Sequence, residues 1–248
     1  GNKWIPQGNT VFSTSCNDVI WNGFLWVAVG SGTNSIAYSY DGLSWTGLGT
    51  LIFNNAYRIV WNGKIFVASG DGNNYLATSY DGINWNGSPS CNSIFTNGNI
   101  IPVAWNGSYW LVGGKGNDHC LAMSYNGIDW NGLGATSIFP VKCASLLWTG
   151  TAWVAGGSGT LSFSYDGFNW TTVSCPITSL VSGLACNNKL IVAVGSSYDG
   201  TGHTMAYCHD LIGSRWIGLG TQILNNSIEN IYPNVKWCNN KFLAFGTD

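Results

Sequence analysis

Apolar residues in this chain come in short runs, each cut off by a glycine-containing turn signal. Val27-Ala28-Val29-Gly30 is one such run, and Ile36-Ala37-Tyr38-Ser39-Tyr40 alternates as a half-buried strand does. Two dipeptides punctuate the runs. Asn-Gly joins one pair of runs at Asn22-Gly23, Asn62-Gly63 and Asn106-Gly107. Asp-Gly joins the next pair at Asp41-Gly42, Asp81-Gly82 and Asp166-Gly167. Both suit the type I′ hairpin turn, whose two central residues need positive φ. The pattern predicts units of four short antiparallel strands.

The units repeat along the chain. A unit opens at Trp21, Trp61, Trp105, Trp148, Cys186 and Trp237 and closes at Trp45, Trp85, Trp130, Trp170 and Trp216, with Trp4 as a sixth closing residue. A fixed period of about 40 to 45 residues with four strands matches a propeller blade. The expected fold is all-β: one six-bladed β-propeller over residues 1–248. Its sixth blade is shared between 1–10 and 231–248, so strands from both termini close the ring. That blade is short of its third strand, which predicts that residues beyond the two ends complete it. Closing-Trp spacings alternate as 40, 45, 40 and 46, and Gly-Leu-Gly follows the closing Trp at 47–49, 132–134 and 218–220. Cys91 and Cys175 stand near that place in blades two and four. The alternation suggests a two-blade unit copied three times.

Composition narrows the partners. Hydrophobic residues make up 45% of the 248, enough for a large core, while charged residues make up 8%, against about 25% in ordinary soluble domains. The net charge is −2 and the nine basic residues are scattered, which argues against a nucleic-acid groove. No apolar run approaches the roughly 20 residues of a membrane helix. The eight cysteines form no Cys-x-x-Cys pair, so neither zinc nor any other cofactor is called for. Their even number allows disulfides. The other reading is small buried strand residues, since Cys186 replaces a repeat Trp and Cys208 a repeat Ser.

The run Ser-Tyr-Asp-Gly-x-x-Trp, at Ser39 to Trp45, Ser79 to Trp85 and Ser164 to Trp170, resembles the Asp-box of the sialidase-like propellers, one residue shorter. Asn126 stands in for the Asp between Ser124 and Trp130. Cys208-His209-Asp210 departs further, with a longer turn to Trp216. With its Trp-Asn-Gly hairpin, the unit is also similar to repeat arrays in bacterial secreted proteins and large DNA viruses, which favours an extracellular or virion setting. The resemblance implies a structural box on the turn side of a propeller. There Asp41, Asp81, Asn126, Asp166 and Asp210 serve the turn backbone, and Trp45, Trp85, Trp130, Trp170 and Trp216 pack between sheets.

Catalysis of the sialidase kind needs three arginines around a carboxylate, and the chain has only Arg58 and Arg215. Other glycosidases need two facing carboxylates. Asp71, Asp118, Asp199 and Glu229 remain on loops, and no spacing selects a pair. His119 and His203 fall in equivalent loops, where a metal site would need Asp118 or Asp199 beside them. The alternative is ordinary solvated side chains. A ligand is expected on the face opposite the tight turns, where the connections vary. Its candidate residues are Asp71, Asn73, Asn74 and Tyr75; Asn117, Asp118 and His119; and Tyr198, Asp199 and His203. The linkers at Phe53-Asn54-Asn55, Phe95 to Asn99 and Asn225 to Tyr232 join that face. Amides, carboxylates and aromatics with few charges suit sugar hydroxyls. The expected function is a non-enzymatic propeller that binds a glycan or protein partner. The alternatives are a structural protein of a virion or surface layer, whose low charge eases assembly, and an Asp-based hydrolase.

Overall fold

The structure, a computed structural model, describes residues 8–96, 102–197, 200–220, 224 and 233–245. Trp4, Tyr198, Asp199 and Glu229, and most of the N-terminal part expected in blade six, lie outside the described residues.

Short apolar runs between glycine turns form strands, and the strands group in fours. The first module holds β1 (Ser15–Trp21), β2 (Trp26–Ser31), β3 (Ile36–Ser39) and β4 (Thr46–Gly47). The second holds β5 (Asn55–Trp61), β6 (Phe66–Asp71), β7 (Leu76–Ser79) and β8 (Asn86–Gly87), joined to the first by one bridge between Ser31 and Asn55. A helix, α1 (Pro89–Ile94), follows with proline in its first turn, where a missing N–H costs nothing. The third sheet runs through β9 (Val103–Trp105), β10 (Trp110–Gly113), β11 (Leu121–Ser124) and β12 (Asn131–Gly132). The fourth comprises β13 (Cys143–Trp148), β14 (Trp153–Gly157), β15 (Thr160–Ser164) and β16 (Thr171–Val173). The fifth comprises β17 (Leu180–Cys186), β18 (Ile191–Ser196), β19 (Met205–Cys208) and β20 (Ile217–Gly220). A hairpin of β21 (Asn234–Cys238) and β22 (Lys241–Phe245) ends the described chain. The chain forms two compact units, Gly1–Trp110 with Ser124–Asn131 and Leu111–Met123 with Gly132–Asp248.

The turns differ from the expected type I′. Asn22 donates its N–H to the Leu25 carbonyl at 3.2 Å, and only Gly23 has positive φ, at 99°. Glycine is therefore the first of the two central residues, and it alone takes the positive φ that type I′ asks of both. Asn22 precedes the turn and clamps it: its Oδ1 accepts the N–H groups of Phe24 and Leu25 at 2.9 and 2.7 Å. Asn62, Asn106 and Asn187 repeat this clamp. The type I′ turn occurs at Asn239-Asn240, where both φ angles are positive. The Asp-Gly segments are longer loops, running in the first module from Tyr40 to Trp45 between β3 and β4.

Packing follows from two repeated features. The first strand carries a β-bulge at one place in four modules, after Cys16, Ala56, Cys143 and Val181. A bulge re-aims a side chain: Asn17 reaches the Ala56 carbonyl at 2.8 Å, and Ser182 reaches that of Pro233 at 2.6 Å. The second feature is a glycine seat. A Cβ on Gly82 would stand 2.8 Å from Leu25 and Val27 of the preceding module, and one on Gly127 2.8 Å from Ile65. The core of the first unit gathers Leu25, Val27, Val29, Ile36, Phe53 and Phe66, with Trp85 packed against it. In the second unit Trp170 packs on the cluster of Leu121, Phe139 and Cys143, and Trp216 on that of Leu161, Ile177 and Val181. All eight cysteines are free thiols; Cys91, Cys120, Cys143 and Cys208 are buried.

Candidate functional site

The Ser-Tyr-Asp-Gly turns share one hydrogen-bond circuit. Ser39 Oγ accepts the N–H of Gly42 and donates to Asp41 Oδ1. That oxygen also accepts the N–H groups of Leu43 and Ser44 at 2.8 and 2.7 Å. Trp45 Nε1 closes the loop on the Gly42 carbonyl at 3.2 Å. The circuit recurs at Ser79, Asp81 and Trp85 and at Ser164, Asp166 and Trp170. Asn126 stands in for Asp, accepting the N–H groups of Ile128 and Asp129 at 2.9 Å each, while its Nδ2 donates to Asp129. In the fifth module Asp210 reaches Ser214 in a longer loop, and Trp216 Nε1 bonds the Gly213 carbonyl.

These bonds fix the charge of the aspartates. The N–H groups of Ser44 and Leu43 hold the Asp41 carboxyl far below the ordinary carboxylate range, and those of Asn169 and Phe168, with the Asn169 side chain, do so for Asp166. At Asp81, partial burial pushes the value up, but the Asn84 side chain and the N–H groups of Asn84 and Ile83 outweigh it and bring it to about 2.

One residue of the motif takes no part in the circuit. Tyr40, Tyr80, Tyr125 and Tyr165 are 56, 60, 72 and 62% exposed. Tyr40 meets Phe24 edge-on at 5.5 Å, and Tyr125 meets Tyr109 likewise at 6.2 Å. In the fifth module the exposed His209 takes this place against Tyr207. These side chains were not among the sequence-based candidates. Their signal was recurrence at a position for which the turn geometry has no use.

The connecting loops engage many of the expected ligand residues within the fold. Asp71 accepts the main-chain N–H and side-chain amide of Asn55 and the hydroxyl of Tyr57. Asn73 donates to the Leu51 carbonyl, Asn74 to that of Ile52, and the N–H of Tyr75 to Asn92 of α1. His119 Nδ1 accepts the Gly134 N–H at 2.9 Å, and His203 Nδ1 accepts that of Gly220 at 2.8 Å. Asn34 Oδ1 does the same for Gly49 at 2.8 Å. Each of these side chains lies over the first glycine of a Gly-Leu-Gly segment: a Cβ at Gly47, Gly132 or Gly218 would stand 2.2 to 2.5 Å from Asn34, His119 or His203. Asn74 covers Gly87 in the same way. Nδ1 of His119 and of His203 is thus an acceptor within the fold. Asn117 and Asp118 are exposed beside His119. The linker residues Phe53 and Phe95 are buried at 0 and 2% exposure. Among the described residues no three His, Cys, Asp or Glu side chains form a metal-binding group, and no helix is long and apolar enough to cross a membrane.

No protein-family model and no curated protein matches the chain. Solved structures do. The chain is similar to YCF48 from Cyanidioschyzon merolae, with a TM-score of 0.69 and 12% identity over 100% of this chain and 84% of that one. It is similar to an ancestral GH74 enzyme, at 0.64 and 14%, over 93% of this chain but only 38% of the enzyme. A chain of a nidogen/laminin complex matches at 0.60 and 9%, over 82 and 78%. These neighbours are β-propeller proteins, and the likeness shows that this chain has a propeller fold built of repeats.

Proposed function

We propose that the protein is a non-catalytic propeller that recognises a partner, or assembles, through the side bearing the Ser-Tyr-Asp-Gly turns. The observation that carries this reading is the exposed aromatic side chain that recurs at one position of successive turns while making none of the turn's hydrogen bonds. Exposed aromatics rimmed by polar groups are the usual mark of an interaction site. The propeller fold hosts binding and catalysis alike, so the site and not the fold decides. On this reading the ring has six blades, β21 and β22 belong to the sixth, and the protein works outside cells or in a particle such as a virion. Its low charge supports assembly, since few charges must be desolvated.

Glycan recognition on the connecting-loop side is a second reading, favoured by the exposed Asn73, Asn117 and Asp118. The test is a glycan array and a light-scattering series over protein concentration, each run on the native chain and on Tyr40→Ser/Tyr80→Ser/Tyr125→Ser. Association or array binding lost in that variant supports the turn-side reading. Glycan binding kept by the variant and lost in Asn117→Ala/Asp118→Ala moves the site to the loops. Saturable hydrolysis on a glycoside panel overturns the non-catalytic reading.

A further inference from the structure

We propose that the turn side of the first unit docks a cationic protein segment, with Lys or Arg side chains set over Tyr40, Tyr80 and Tyr125. The inference rests on the turn-side reading above and names the partner's chemistry. Three observations carry it.

The three rings are available, and two of them are held. More than half of each tyrosine is exposed, and the edge-on contacts of Tyr40 with Tyr38 and Phe24, and of Tyr125 with Tyr109, limit their rotation. Cations are attracted to such ring faces. The turns adjoin one another, because Gly82 seats against Leu25 and Val27, and Gly127 against Ile65 and Val67.

Each ring has a carboxylate within its own turn. Asp41 and Asp81 follow Tyr40 and Tyr80 directly. In the third turn Asn126 does the accepting, yet a carboxylate returns three residues later as Asp129, which accepts from Asn126 Nδ2 at 2.9 Å. The Asn126–Asp129 bond is the reverse of those from Asn84 to Asp81 and from Asn169 to Asp166, so each of these turns keeps one carboxylate whichever position holds it.

The charge balance then selects the occupant. The six turn segments of this unit carry Asp41, Asp81 and Asp129 against Lys64 alone. A second copy would set like charges face to face, whereas a basic segment complements the surface. The depressed values at Asp41 and Asp81 keep both charges in place well into the acid range.

The test uses the full chain and three fluorescein-labelled nonapeptides: an arginine-glycine repeat, a glutamate-glycine repeat and a serine-glycine repeat. Anisotropy titrations are run in about 50 and about 200 mM salt, where screening differs strongly. The expected result is saturable binding of the arginine peptide alone, weaker at the higher salt. Tyr40→Ser/Tyr80→Ser/Tyr125→Ser, which leaves the charge unchanged, should weaken binding about tenfold or more, on the usual strength of a cation over a ring. Asp41→Asn/Asp81→Asn/Asp129→Asn, its fold verified by circular dichroism, should weaken it as well. Unchanged affinity in either variant overturns the inference. So does absence of binding to the native chain. If the arginine peptide fails while the Tyr variant still abolishes self-association or array binding, the turn-side reading stands and the cationic partner falls. If the Tyr variant changes nothing in any assay, both fall.

Discussion

At the turn end of a module, one side-chain oxygen of Asp41, Asp81 or Asn126 accepts two main-chain N–H groups of its own loop. At the connecting end, Asn34, His119 and His203 each accept one from a neighbouring strand end. The turn ends are alike and the connecting ends vary, which usually places function on the latter. On the proposed reading the difference runs the other way. Several polar residues of the varied loops are tied into the fold, whereas the uniform turns leave an aromatic ring in solvent every time. Variation at the connecting end reflects several solutions to one packing problem: Asn or His over a glycine.

The sharpest way to break this comparison is to unpin a turn. Trp130 is 5% exposed and bonds its own loop, so Trp130→Ala should cost about 3–5 kcal/mol in denaturant unfolding. A loss below about 1 kcal/mol would mean that the turn end is not anchored by its tryptophan. The connecting end is tested next. Gly132→Ala drives a methyl to within 2.5 Å of the His119 ring and should cost roughly 1–3 kcal/mol. His119→Ala strands the Gly134 N–H, at about 1–2 kcal/mol, while His119→Asn should cost less because Asn34 fills the equivalent place. The Gly132→Ala/His119→Ala double variant should lose less than the two single losses together; strict additivity would show that ring and glycine do not meet.

Acid separates the two ends further. Asp81 lies at about 2 against an ordinary 3.8, and Asp41 and Asp166 are depressed as well. A depressed carboxyl stabilises fully above its unfolded value and loses that contribution as the pH falls toward its folded value. The melting temperature should therefore fall between pH 4 and pH 2, and fall less in Asp41→Asn/Asp81→Asn/Asp166→Asn. An equal fall in both proteins would place the acid sensitivity elsewhere. The smallest effect is expected from Tyr40→Ser and Tyr80→Ser, within about 0.5 kcal/mol of native stability, since the turns do not use these rings.

Much of the architecture was legible because period and turn signals are local. The repeat from Trp21 to Trp45 announces a four-stranded unit, and in the structure β1 ends at Trp21, β2 and β3 lie within that span and β4 starts at Thr46. The Asn-Gly dipeptide does not reveal the turn type, because the clamp by Asn22 Oδ1 needs the asparagine one place before the central pair. Helix α1 gave no periodic signal over its six residues. The roles of His119 and His203 depend on contacts with glycines 13 to 15 residues away. Loop composition does not reveal such contacts, although the Gly-Leu-Gly recurrence was visible from the start. The exposed tyrosines were visible too, but inside a motif whose other members explained its presence.

The glycine seats also bear on how the chain is made. Gly82 lodges against Leu25 and Val27, Gly127 against Ile65 and Val67, and Gly213 against Val154. In every case the receiving surface precedes its occupant in the sequence. On a ribosome adding about 5–20 residues per second, the receptacle emerges seconds before the loop that fills it. Vectorial synthesis thus offers each new module a finished neighbour, and a chain folding from its C-terminal end would meet the seats in the wrong order.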